Sequence, residues 1–250
     1  MVEQSLKTAQ DPDLGVAGPH PIVRPFMAQR WRDLSFIHWP CDPEAIQALL
    51  PPGVEVDQMD GSAWVGLIPF HLSVSLPAWA PAIPWLQTTP EVNVRTYVRG
   101  PDGRRGIWFL SLEASRLAVA LVARAWYGIP YQWARVRVES EGRTVSCMTR
   151  RRSASFAATL EVGERVETLS ELERFLICRW RLYSPGRNGR IHVSRIDHEP
   201  WPLWRAAVTR CDQNLIQSAG GPQTVGGPIA HWSPGLDVRW ARREVAVPRD

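Results

Sequence analysis

Lysine is almost missing from this chain: of its 29 basic residues all but Lys7 are arginine. Chemistry that needs a buried amine is therefore nearly excluded. Cysteine is sparse as well. Cys41, Cys147, Cys178 and Cys211 stand far apart without a CxxC pair, which argues against a zinc ribbon or dithiol motif and suits reduced packing thiols in the cytoplasm. Long apolar runs are absent too. The longest, residues 117–129, is interrupted by Arg124 and falls short of a membrane span, and the polar start around Glu3 and Lys7 is not that of a signal peptide. The expectation is a cytoplasmic protein without a membrane partner.

Charge of one sign is also lacking, because 29 basic residues face 25 acidic ones and leave a formal net charge of +4. No nucleic-acid partner is expected from that balance. What the sequence does have is apolar content, 44% of 250 residues, enough for one sizeable core and too much for a disordered chain.

Residues 1–28 carry Pro12, Pro19, Pro21 and Pro25 without periodicity and read as a mobile arm, followed by a single domain over 29–250. Asp42-Pro43-Glu44 has the signature of a helix start, and Pro51-Pro52-Gly53 must stop that helix. Ser170 and Glu173 have capping-box spacing for a helix over 170–179, and 114–126 shows apolar residues at helical spacing. Between them, segments 54–59, 63–75, 92–99, 106–112, 134–138 and 144–148 suit strands. Strands that outnumber helices without a βα rhythm predict a mostly β, α+β fold: a closed antiparallel barrel or sandwich with an interior pocket.

Motifs that carry chemistry are few. The six histidines show no metal-ligand spacing, so neither metal nor cofactor is expected; His192 and His198 share a strand face, yet histidines with structural partners are the simpler reading. There is no GxSxG elbow, and the glycines of 220–227 precede no lysine, so no phosphate loop follows. The segment 90–99 is the most informative. Val92, Val94, Thr96 and Val98 share one face, while Glu91, Asn93, Arg95, Tyr97 and Arg99 share the other. Such a polar row either lines a barrel interior that binds a small anionic or carbonyl ligand, or forms a cross-strand network in solvent. The corner at 126–135 offers Tyr131 and Arg135 as donors to a ligand oxygen, with core packing as the alternative. The aromatic run 79–85 could instead serve a partner surface.

Several stretches taken in order, Phe36-Ile37-His38-Trp39, Asp60 to Gly66, Glu91 to Val98, Pro130 to Arg135, His198 to Leu203 and His231 to Val238, resemble the DUF2071 or YqjF-like family. That family is grouped by fold with acetoacetate decarboxylase, a closed, mostly antiparallel β-structure around a pocket that usually assembles into oligomers. The resemblance places the decarboxylase's pocket arginine at Arg32, its pocket glutamate at Glu91 and its lysine pair at Tyr131 and Gln132. Tyrosine and glutamine cannot form the imine, so the resemblance implies a pocket without that reaction. The expected function is binding of a small polar or carboxylate-bearing molecule. Glu91 and Tyr131 are candidate catalytic residues for enolisation, hydration or hydrolysis; Arg32, Asn93, Arg95, Tyr97, Ser111 and Arg135 are candidate ligand contacts. A homo-oligomer is the expected assembly.

Overall fold

The computed structural model describes residues 11–75, 88–116, 128–224 and 226–248. Its strands are β1 (Met27–Cys41), β2 (Glu55–Val56), β3 (Ala63–Ser75), β4 (Thr89–Arg99), β5 (Arg105–Ala114), β6 (Tyr131–Trp133) and β7 (Arg135–Glu141). Then come β8 (Thr144–Arg151), β9 (Ala154–Arg165), β10 (Arg181–Pro185), β11 (Ile191–His198), β12 (Trp204–Gln213), β13 (Ile229–Trp240) and β14 (Glu244–Val245). Three short helices interrupt them: α1 (Pro43–Gln47), α2 (Glu171–Ile177) and α3 (Leu215–Ser218). No helix among the described residues is long and apolar enough to cross a membrane.

All the strands join one sheet, whose order runs β14-β11-β10-β5-β4-β3-β1-β13-β12-β9-β8-β7 with β2 and β6 attached to β4 and β5. An additional β11–β13 pairing closes the segment from β11 to β13 into a ring. Every junction of that ring is antiparallel except β10–β5. Past β13 the sheet continues through β12, β9, β8 and β7 and folds back over the outside of the ring. Two apolar clusters result. Inside the ring, Leu34, Phe36, Ile68, Phe70, Tyr97, Phe109, Leu112 and Tyr131 meet Phe175, Leu176 and Ile177 of α2. Between ring and outer layer, Ile37, Val65, Leu67, Val92 and Val94 meet Val136, Val138, Val145, Phe156 and Leu160, together with Leu215 and Ile216 of α3.

The sequence signals for α1 and α2 hold. Asp42 accepts from the Glu44 N–H, and Ser170 and Glu173 make both bonds of a capping box. The helix expected over 114–126 meets a correction at its start, since β5 runs to Ala114; residues 117–127 lie outside the described residues, as do 79–85 and Lys7.

The arm also differs from expectation over its described part. Asp13 is 4% exposed and Leu14 1%. Arg181 Nη1 donates to Asp13 Oδ1 at 2.6 Å, Arg105 Nε to Asp11 Oδ2 at 2.7 Å, the Trp180 indole to Gly15 O at 3.1 Å, and the Ile22 N–H to Asp197 Oδ2 at 3.0 Å. The segment is instead a strap whose Pro12–Leu14 turn is anchored against the ring, and its carboxylates meet arginines that composition alone could not assign.

Candidate functional site

Strand β4 positions the site. Its odd residues Glu91, Asn93, Arg95 and Tyr97 pair with Ala114, Leu112, Phe109 and Ile107 of β5, all of which line the inside of the ring. Its even residues Val92 and Val94 face the second apolar cluster. Neither face is solvent: Glu91 and Tyr97 are 0% exposed, Asn93 and Arg95 8%. The cover over Val92 and Val94 is the protein's own outer layer with α3, rather than a helix alone or a second chain.

Two irregularities decide which other residues reach this face. Between Val94 and Arg95 the register skips Leu110, so Ser111 pairs with Val94 and shares its outward face. There Ser111 donates to Glu113 at 2.7 Å, and Arg151 approaches Glu113 at 3.2 Å. In β1, Trp31 packs on the inner cluster and Arg32 beside it is exposed; Asp33, at φ 51, then resets the alternation so that Leu34, Phe36 and His38 point inward. Arg32 and Ser111 are thereby corrected as inner-face candidates. Arg135 is corrected as well, since it is exposed on β7 while Val136 points inward. Glu91, Asn93, Arg95, Tyr97 and Tyr131 remain together on the inside.

Arg95 is held without a carboxylate among the described residues. Its Nη2 donates to Leu176 O at 2.9 Å, Nε and Nη2 donate to the Tyr97 hydroxyl at 3.2 and 3.1 Å, and the guanidinium lies 5.7 Å from the Phe36 ring centroid. Tyr97 Oη also lies 2.6 Å from His38 Nε2 and 2.8 Å from Leu176 O. Burial, with Arg95 and His231 nearby, holds His38 well below the usual histidine range. The ring is neutral, and its Nδ1 is buried without a partner. Gly66 makes this arrangement possible, because a Cβ there would meet His38 Cδ2 at 2.7 Å.

Further along the same face, burial pushes the Glu91 carboxyl up to about 8, against the hydrogen bond that the Tyr131 hydroxyl donates to Oε2 at 3.4 Å. Glu91 Oε1 and Asn93 Oδ1 are buried with no hydrogen-bond partner, as is the Trp64 indole nitrogen. Unmet polar atoms are unusual in a packed interior.

Helix α2 closes over these groups. Glu173 Oε2 accepts from the Ser170 N–H and hydroxyl at 2.7 and 2.8 Å, while Oε1 lies 2.9 Å from His231 Nε2. Burial opposes ionisation of Glu173, but Ser170 and His231 outweigh it and hold the carboxyl below its ordinary value. Behind Tyr97, Arg179 stacks 4.3 Å from the Phe175 centroid and 4.8 Å from that of Tyr97, and its Nη1 donates to Asp57 at 2.7 Å. No group of three or more His, Cys, Asp or Glu suited to a metal ion occurs among the described residues.

The DUF2071 family model, described as an uncharacterized conserved protein, matches residues 28–237, which include every strand that builds this face. The chain belongs to the DUF2071 family. Uncharacterized protein YqjF of Bacillus subtilis is 32% identical over 217 residues, covering 85% of this chain and 89% of that protein. Among solved structures, the enduracididine biosynthesis enzyme MppR, complexed with the condensation product of pyruvate and imidazole 4-carboxaldehyde, aligns with TM-score 0.66 at 14% identity. That alignment covers 91% of this chain and 93% of MppR. Acetoacetate decarboxylase of Legionella pneumophila aligns with TM-score 0.61 at 17% identity, covering 92% of both chains. The DUF2071 chain thus shares the acetoacetate decarboxylase-like fold. In it Tyr131 faces inward and Gln132 is half-buried, and neither can supply an amine.

The sequence reading missed His38, His231 and the Leu176 carbonyl. His38 had a signal, since it follows Leu34 and Phe36 in the inward file of an otherwise apolar strand face. The carbonyl had none.

Proposed function

We propose that this DUF2071 protein binds a small carboxylate-bearing carbonyl compound on the inner face of the ring, with Arg95 taking the carboxylate. The observation that carries the reading is a buried guanidinium that no described carboxylate neutralises. A buried cation costs several kcal/mol unless an anion accompanies it, and a ligand carboxylate would supply that anion at Nη1, whose hydrogens neither Tyr97 nor Leu176 takes. Asn93 and Glu91, two and four residues back on the same face, offer a carbonyl oxygen and a protonated carboxyl to the rest of the molecule. A structural neighbour solved with pyruvate, MppR, supports this ligand class.

The test has two parts. A native mass spectrum of freshly purified protein reads any retained small molecule. Pyruvate and acetoacetate are then titrated by calorimetry against the full chain and against Arg95→Met. Binding to the parent and at least tenfold weaker binding to a folded Arg95→Met chain is the expected result; equal affinity for both removes Arg95 from the site.

A second reading, acid/base catalysis on the bound molecule, is favoured by Glu91 itself. With its carboxyl near 8, about a tenth is ionised at pH 7, enough to accept a proton from carbon next to a carbonyl and return it. Exchange of pyruvate methyl protons for deuterium, followed by NMR, should rise with pH, level off above about 8 and vanish in Glu91→Gln.

A further inference from the structure

The sheet ends at β7, whose second edge pairs with no strand among the described residues. Single edges are usually kept short or broken by proline, lysine or a bulge. By contrast β7, Arg-Val-Arg-Val-Glu-Ser-Glu, has no proline, lysine or bulge and runs in unbroken register against β8; its edge is guarded only by the charges of Arg135, Arg137, Glu139 and Glu141.

The hairpin shows which backbone groups are left over. Gly142, at φ 60, and Arg143 form the two-residue turn that joins β7 to β8. Arg143 O accepts from the Val162 N–H at 2.8 Å, which flanks the Thr144 and Glu161 pair and turns the backbone groups of Thr144 toward Glu141 instead. The alternation then directs Glu139, Arg137 and Arg135 toward β8. The N–H and C=O groups of Val136, Val138 and Ser140 are left at the open edge.

The side chains of β7 complete the picture. Val136 and Val138 are buried beneath the edge, while Arg135, Arg137, Glu139 and Glu141 are exposed on the other face, basic in one half and acidic in the other. A second β7 running antiparallel can join its open groups to these in registers centred on residue 137, 138 or 139. Centring on Arg137 sets guanidinium against guanidinium, and centring on Glu139 sets carboxylate against carboxylate. Centring on Val138 places Arg135 opposite Glu141 of the second copy and Arg137 opposite its Glu139, each twice by symmetry. These are non-hydrogen-bonded positions, where facing side chains come closest.

We propose that two copies of this protein pair β7 with β7 about a two-fold axis at Val138, joining their sheets into one. The interface is isologous and self-complementary, as a closed dimer requires.

Sedimentation velocity and light scattering on the full chain test this. The parent should be a dimer. Arg137→Glu, which sets like charges face to face on both sides of the axis, should raise the dimer dissociation constant about tenfold or more. Adding Glu139→Arg should restore it, because the swapped charges again meet opposites. Within each chain the residues facing these two positions are Met148 and Ser146, both uncharged, so the swap leaves the hairpin's own pairing alone. In hydrogen exchange the amides of Val136, Val138 and Ser140 should gain protection as concentration rises through the dissociation constant. A monomeric parent, a dimer indifferent to Arg137→Glu, or a dimer whose edge amides exchange as in the monomer would each overturn the proposal.

Discussion

At the residue scale the interior is governed by which polar atoms have partners. Glu91 shows the energetic consequence. Its folded carboxyl titrates near 8 because burial penalises the charge, whereas an unfolded glutamate titrates near its ordinary 4.5. A raised folded value means that the native state holds its proton longer, so stability is full below the unfolded value and falls as pH rises toward about 8. The loss across that window is on the order of 4–5 kcal/mol. Glu91→Gln removes the titration, and chemical unfolding from pH 5 to 9 should show the parent losing stability relative to the variant as pH rises. Gly66 gives a second test. Gly66→Ala pushes His38 off its seat and breaks the bond to Tyr97, at a cost of roughly 2–3 kcal/mol in chemical unfolding. The polar row of β4 was legible as a row, since period-two alternation separates Glu91 and Arg95 from Val92 and Val94. Its burial was not, because a strand covered on both sides reads the same as one with a solvated face until the outer layer is known.

At the element scale the bulges explain what alternation could not. Leu110 and Asp33 each insert a residue, and beyond each the inward and outward files exchange, which puts Ser111 and Arg32 outside the inward group. A bulge has no composition signature as plain as a proline or an Asn-Gly turn. Helix α2 was legible from its capping box alone. Because that cap also holds the segment whose Leu176 carbonyl receives Arg95, its loss should reach the site. Ser170→Ala should cost about 1 kcal/mol of stability. It should also bind a carboxylate ligand more weakly than Ser170→Thr, a variant that keeps the capping hydroxyl; equal binding by the two variants would separate the cap from the site. The strands β9 to β13 left weaker traces. On β12 the alternation is short: Trp204, Ala206 and Val208 form a half-buried file opposite Arg205 and Thr209, and it stops at the register shift between Val208 and Arg210.

At the scale of the whole molecule, closure of the ring depends on contacts distant in sequence. The parallel β10–β5 junction is an example, and no local pattern announces it. The same holds for the strap. Asp57 receives Arg105 at 2.6 Å and Arg179 at 2.7 Å, and Asp13 receives Arg181 at 2.6 Å, so the segment before β1 completes an arginine and aspartate network that joins β5, β10 and the residues after α2. A chain that lost this segment would keep Arg181 in place without its carboxylate. Removing one partner of a buried ion pair costs about 3–5 kcal/mol, because the remaining charge stays desolvated. For a protein of this length that corresponds to a fall in Tm on the order of 10 °C. Deletion of residues 1–15 and the single substitution Asp13→Ala should therefore both lower Tm by comparable amounts in differential scanning calorimetry. If the segment were an arm without contacts, deletion would leave Tm unchanged; an Asp13→Ala effect with no matching effect of deletion would mean that Arg181 finds another partner once the strap is gone.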